Sequence, residues 1–381
     1  MNFDLSEEQR LLRDNVERLL AKTYDFETRR KIAAGPEGFS RAAWARYADM
    51  GLLGLPFAEE DGGFGGGPVE TMLVMECFGR ALPLEPYFAT AILSGALLRR
   101  AAAAELRATL VPLIGEGKLL LAFAHYEAQS RYLLHSIATT ARREGDAYRI
   151  DGEKCLVLGG AEADKFLISA RLSGATHSRD GIGLFLVDSS TPGLSRRSYR
   201  TQDGERAAAL SFAALSVPAS ALICDDAAGA IDAAFDEALA ALCAEAVGAM
   251  DEALKLTVDY LKTRVQFRVP LGSFQALQHR AADIYVALEQ ARSMTLFAVM
   301  GLSESDPHRR RTAALAAKAR INESALFVGE QAVQLHGGIG MTMEYKLGHL
   351  FKRLTTIRRL FADTDHCLDQ LAESESLLAA P

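Results

Sequence analysis

Over residues 1–118 the hydrophobic positions recur every three to four places. In "LSEEQRLLRDNVERLLAK", Leu5, Leu12, Val16, Leu19 and Leu20 share one stripe, Ser6 stands before the first turn and Gln9 follows three residues later. This predicts an amphipathic helix opened by a capping box, in which the serine hydroxyl and the glutamine amide each satisfy a terminal backbone N–H. Within the same region, "GLLGLPFAEEDGGFGGGPVE" at 51–70 is dense in glycine and reads as turns ahead of another apolar helix.

The pattern changes over 119–228. "AYRIDGEKCLVL", "ADKFLISAR" and "GIGLFLVD" alternate or are rich in β-branched residues, and Gly, Asp and Ser separate them, which predicts a β domain. Helical periodicity returns over 229–381, with segments at 231–265, 274–302, 307–336 and 345–372 joined by short connections. Four long helices so connected predict an antiparallel four-helix bundle. The expected fold class is therefore α+β, mostly α, with a helical domain at 1–118, a barrel-like β domain at 119–228 and a helical bundle at 229–381.

Composition narrows the class without naming a chemistry. A chain of 381 residues with 49% hydrophobic content is long enough for more than one core. No apolar run reaches the roughly 18 residues of a membrane span. The opening "MNFDLSEEQRLL" is charged and amphipathic, unlike a signal peptide, so a cytoplasmic protein off the membrane is expected. Five scattered cysteines, without a CxxC or a histidine at zinc-ligand spacing, predict neither a disulfide framework nor a metal site. A net charge of -7 argues against general nucleic-acid affinity, although Arg309–Arg311 and Arg358–Arg359 are local basic clusters.

One stretch asks for a ligand. "EQAVQLHGGIGMTMEY" at 330–345 runs as a buried helix through Ala332, Val333 and Leu335, then meets Gly337 and Gly338, which carry no side chain where something could approach the backbone. Upstream, "RVQFRVPLGSFQ" at 264–275 supplies an arginine, an aromatic and a glutamine.

With the glycine-rich loop at 51–70, these motifs and the order helices, β domain, helical bundle resemble the acyl-CoA dehydrogenase family over essentially the whole chain. Within it the chain is most similar to the small subunit of the heteromeric pimeloyl-CoA dehydrogenases. The resemblance implies an FAD cofactor lying between subunits, its adenine and pyrophosphate half held by an Arg-x-x-Phe motif and a Gln-x-x-Gly-Gly turn. On this sequence Arg264 would face the pyrophosphate, Phe267 and Gln275 would line the adenine side, and Gln334, Gly337 and Gly338 would meet the nucleotide through an amide and bare main chain. Thr364 matches a further cofactor-contact threonine. One departure is Arg268, where the family has glycine.

The motifs that the family places at the flavin ring are less well kept. "HYEAQSR" at 125–131 retains only Glu127 and Ser130, and Leu156 and Leu158 in "GEKCLVL" replace a tryptophan and a threonine. The resemblance also implies a glutamate base that removes an α-proton from an acyl thioester. Its two usual positions fall here on Ala362 and Ala238, and alanine accepts no proton. Asp363 and Glu237 are the neighbouring acids, with Asp363 the candidate catalytic residue; His366 reads as structural.

The expected protein is thus a subunit of an acyl-CoA dehydrogenase that oxidises an acyl-CoA, on the subfamily resemblance a dicarboxylyl or bulky one, to the 2,3-enoyl-CoA. It would reduce electron-transfer flavoprotein and lend the adenine side of its site to a homologous catalytic chain. The alternatives are a self-sufficient homo-oligomer using Asp363 and a non-enzymatic structural or DNA-binding relative.

Overall fold

The computed structural model describes residues 4–373. Its helices are α1 (Glu7–Thr23), α2 (Phe26–Ala34), α3 (Arg41–Asp49), α4 (Pro68–Ala81), α5 (Gly95–Ala101), α6 (Ala104–Gly115), α7 (Ala228–Thr263), α8 (Gln275–Gly301), α9 (Pro307–His336), α10 (Lys346–Ile357) and α11 (Thr364–Glu373). The strands are β1 (Leu121–Ala124), β2 (Thr140–Glu144), β3 (Ala147–Leu158), β4 (Lys165–Arg171), β5 (Ile182–Asp188), β6 (Leu194–Arg200), β7 (Arg206–Pro218), β8 (Leu222–Cys224), β9 (Val265–Gln266) and β10 (Val269–Pro270). The chain divides into two compact units. The first takes the chain up to Lys31, Pro68–Pro83 and the chain from Leu239; the second takes Ile32–Gly67 and Leu84–Ala238.

In the first unit α1 begins as its sequence predicts. The Gln9 N–H donates to Ser6 Oγ at 3.1 Å and the Ser6 N–H donates to Gln9 Oε1 at 2.9 Å. Val16 and Leu20 are buried, with Leu12 and Leu19 half-buried beside them. α4 and α7 then pack backbone against backbone. A Cβ on Gly79 would lie 1.9 Å from the Glu245 carbonyl oxygen, and one on Gly248 would lie 1.9 Å from that of Glu76. Only glycine allows this approach.

The expected fourth helix at 345–372 is two helices, broken at 358–363. No glycine or proline marks the break; side chains of α9 make it. The Lys318 ammonium donates to the Ile357 carbonyl at 2.7 Å, Asn322 Nδ2 donates to that of Ala362 at 3.2 Å, and Arg358 Nε donates to that of Asn322 at 2.8 Å. With the Ile357 and Ala362 carbonyls taken by α9 side chains and Phe361 at φ 66°, the ladder cannot continue.

The second unit holds one eight-stranded sheet, ordered β6-β7-β3-β2-β4-β5-β8, with β1 beside β4. β2 and β4 meet at a single pair, Thr140 with Arg171, so the sheet folds into two halves. Ile150, Phe212 and Leu215 from one half join Phe166, Ile168 and Phe185 from the other in a common core. The barrel-like domain expected from sequence is thus an open sheet whose end strands, β6 and β8, do not pair with each other. β6 reads "LSRRSYR" and is mostly exposed, and arginines along an edge discourage further pairing. Among the described residues no helix is long and apolar enough to cross a membrane.

Arg268 has a local consequence. β9 and β10 form a hairpin whose turn places Phe267 at φ 53° and Arg268 at φ 72°, both left-handed. Such two-residue turns favour glycine because a Cβ crowds the backbone there. Arg268→Gly is expected to stabilise the chain by about 0.5–1 kcal/mol, read as a raised thermal midpoint; a lowered midpoint would mean that the arginine makes a compensating contact.

Candidate functional site

Four of the residues singled out from sequence meet in one place. Arg264 follows the end of α7, Gln334 lies in the last turn of α9, and Gly337 and Gly338 continue from it. All four line an open cleft of about 630 Å³ in the first unit, with Tyr260, Gln266, Leu277, Arg280 and Ile339 also on its walls. Gly337 ends α9 at φ 65° and ψ -142°, a conformation nearly confined to glycine. A Cβ built on Gly337 or Gly338 would meet nothing within 4 Å. The bare main chain therefore faces open space, so the glycine pair is both a helix cap and part of an exposed surface. No carboxylate lines the cleft, and neither Arg264 nor Arg280 is ion-paired among the described residues. Two arginines, two glutamines and an uncovered backbone suit a phosphorylated nucleotide such as the adenine half of FAD.

Phe267 and Gln275 are not on those walls. Phe267 sits at the hairpin tip, 84% exposed and edge-on to Phe274, and Gln275 opens α8 on the surface. Thr364 begins α11.

His336 lines the same cleft but is buried, its ring stacked on Tyr260 at 4.6 Å. The Ala332 carbonyl, 2.8 Å from Nδ1, can only accept, so Nδ1 carries the proton and Nε2 is left to accept from the Tyr345 hydroxyl at 3.3 Å. Burial lowers its pKa, consistent with a neutral ring that props the glycine turn. Sequence reasoning missed Tyr260, His336, Gln266 and Arg280. His336 stood inside the quoted stretch, but its stacking partner lies 76 positions away in sequence (336 − 260) and leaves no periodic signal.

Neither usual base position offers an acid, and both neighbouring acids are engaged. Ala362 is fully buried and its carbonyl accepts from Asn322. Asp363 precedes α11 as its cap: its carboxylate accepts the His366 N–H at 2.9 Å, with Arg359 3.7 Å away. It lies in the break between α10 and α11, not on a helix as the sequence periodicity implies. In the second unit, Ala238 is fully buried and the Glu237 carboxylate is gripped by both Arg99 and Arg100.

The segment "HYEAQSR" is organised by a buried ion pair. Lys154 Nζ, fully buried, donates to Glu127 Oε1 at 2.7 Å, to the His125 carbonyl at 3.0 Å and to Ser169 Oγ at 3.2 Å. The Glu127 carboxylate also accepts the backbone N–H groups of Ala138 at 2.7 Å and Thr139 at 3.0 Å. Burial alone would raise its pKa, but the Lys154 ammonium and these donors hold it down at about 2. Burial pulls Lys154 down to about 8, against the upward pull of Glu127, so it remains an ammonium at neutral pH. Ser130 Oγ accepts the Glu127 N–H and donates to the Glu127 carbonyl. These two residues are occupied in closing their own turn. On β3, Leu156 takes φ 49° at a bulge and its N–H donates to the Tyr199 hydroxyl at 3.1 Å, while Leu158 is buried.

Comparison with known proteins covers nearly the whole chain. Residues 6–118, 122–216 and 228–362 match the N-terminal, middle and C-terminal domains of the acyl-CoA dehydrogenases. Acyl-CoA dehydrogenase FadE12 of Mycobacterium tuberculosis is 33% identical over 356 residues, spanning 90% of this chain and 89% of that protein. Acyl-CoA dehydrogenase IpdE2 of the same organism is 30% identical over 371 residues, 97% of each. Among solved structures, the steroid acyl-CoA dehydrogenase Tcur3481-Tcur3483 superposes with a TM-score of 0.87 at 30% identity, covering 98% of this chain and 99% of that one.

Proposed function

Since the chain belongs to the acyl-CoA dehydrogenase family, whose members are FAD-dependent oxidoreductases, we propose that it is a subunit of a heteromeric enzyme. It lends the adenine side of the FAD site to a homologous catalytic partner. The observation that carries this reading is an asymmetry: the cleft of Arg264, Gln334, Gly337 and Gly338 is open and uncommitted, whereas both usual base positions hold alanine and the acids next to them, Asp363 and Glu237, are engaged as a helix cap and an ion pair. One exposed apolar side chain, Ile339, lines that cleft, and Met341, Val265 and Phe267, also exposed, lie within two residues of its lining residues in sequence. Such a rim suits a protein partner. The steroid acyl-CoA dehydrogenase Tcur3481-Tcur3483, a heteromeric neighbour in structure, supports a heteromeric assembly.

Within such a complex Arg264 binds phosphate through paired charge-assisted donors, and Gln334 and the Gly337–Gly338 main chain orient the nucleotide. The bound flavin supplies the hydride acceptor for oxidation of an acyl-CoA to its 2,3-enoyl product, and electron-transfer flavoprotein is the proposed electron acceptor. The α-proton is taken by a carboxylate of the partner. The substrate proposed from the subfamily resemblance is a dicarboxylyl or bulky acyl thioester.

Substitutions in this chain, assayed in the complex with its homologous partner, test the division of labour. Arg264→Met is expected to lower FAD content and turnover together, and Asp363→Asn to leave both within about twofold. If Asp363→Asn removed turnover while FAD stayed bound, the base would lie in this chain and the self-sufficient reading would replace this one.

A further inference from the structure

We propose that Arg280 is a second phosphate-binding cation of this cleft, acting with Arg264 on the diphosphate of the nucleotide; the proposal rests on the reading that the cleft takes the adenine half of FAD. Nothing in the sequence motif points to Arg280. It lies in the second turn of α8, on the cleft wall with Arg264 and opposite no carboxylate. Other arginines of the same unit are committed to acids: Arg80 and Arg292 to Asp251, Arg320 to Glu323, and Arg353 to Glu245. Arg264 and Arg280 have no such partner among the described residues. In a chain of net charge -7, two unpaired guanidiniums on a cleft without acids form a local positive field suited to a dianion. One guanidinium forks to one phosphate. A diphosphate offers two, and a second fork from α8 would hold the other. Leu277, three residues before Arg280 and therefore on the same helix face, lines the cleft with it and gives the arginine's stem an apolar neighbour.

The test is calorimetric titration of the full-length chain with ADP and with adenosine at low ionic strength, in wild type, Arg280→Met, Arg264→Met, and Arg309→Met as a control that removes the same charge outside the cleft. Arg280→Met is expected to weaken ADP about tenfold, the loss of one charge-assisted contact, without changing adenosine. Arg280→Lys should recover part of the loss, and Arg309→Met should match wild type. If Arg264→Met weakens ADP while Arg280→Met does not, the role of Arg280 is refuted and the cleft reading stands. Equal weakening of ADP and adenosine by Arg280→Met would also refute it, since that marks a change in shape and not a lost phosphate contact. A wild-type chain that binds neither ADP nor adenosine would overturn the cleft reading itself.

Discussion

Gly338→Val is expected to fold as stably as the parent chain, within about 0.5 kcal/mol, and to lose nucleotide from the cleft by at least about tenfold in affinity. The two halves of this result separate because the position is open. A Cβ at 338 meets nothing within 4 Å, so the branched side chain displaces no protein atom and stands in the space proposed for the cofactor. Gly337 differs. At φ 65° and ψ -142° any side chain strains the backbone, so Gly337→Val should cost about 1–3 kcal/mol of stability as well as affinity. Thermal unfolding of the chain, and the FAD content of its complex with the homologous partner, distinguish the two. Should Gly338→Val retain full FAD content, the bare backbone there does not face the nucleotide.

The second large effect concerns Lys154. Lys154→Met leaves the Glu127 carboxylate buried among donors with its countercharge gone, and is expected to destabilise the chain by about 3–5 kcal/mol. The double replacement Glu127→Gln with Lys154→Met should recover much of the loss, because an unpaired buried charge costs more than the pair contributes. The pair also sets an acid limit. Glu127 titrates at about 2 in the folded chain against an ordinary 4.5, so its contribution is complete above 4.5 and is lost as pH falls toward 2. In urea titrations the parent chain should therefore lose stability faster over that window than Glu127→Gln does. Parallel pH profiles would show that the carboxylate is not specifically stabilised.

How much of this could be read in advance depended on the range of the interactions. α1 and its capping box are local, set by residues three and four apart, and appear as expected. So does the glycine cap at 337, because φ above zero singles out one residue type. The break at 358–363 escaped because it is made by Lys318 and Asn322 on another helix acting on carbonyls about forty positions away, and nothing in "RRLFAD" announces it. The cleft was half legible. Arg264, Gln334 and the glycines sit in recognisable motifs, whereas Arg280 and the Tyr260–His336 stack follow only from the way α7, α8 and α9 converge on one opening. Glu127 was noticed for its resemblance to a flavin-side motif, but its partner Lys154, on β3, is what explains the residue.

The division of one flavin site between two polypeptides is tested most directly by counting FAD. The chain should be purified alone and again after co-expression with its homologous partner, and both the FAD per chain and the oxidation of acyl-CoA should be measured. The account predicts substoichiometric flavin and no turnover for the chain alone, with both appearing in the complex. One FAD per chain and full turnover without the partner would contradict it.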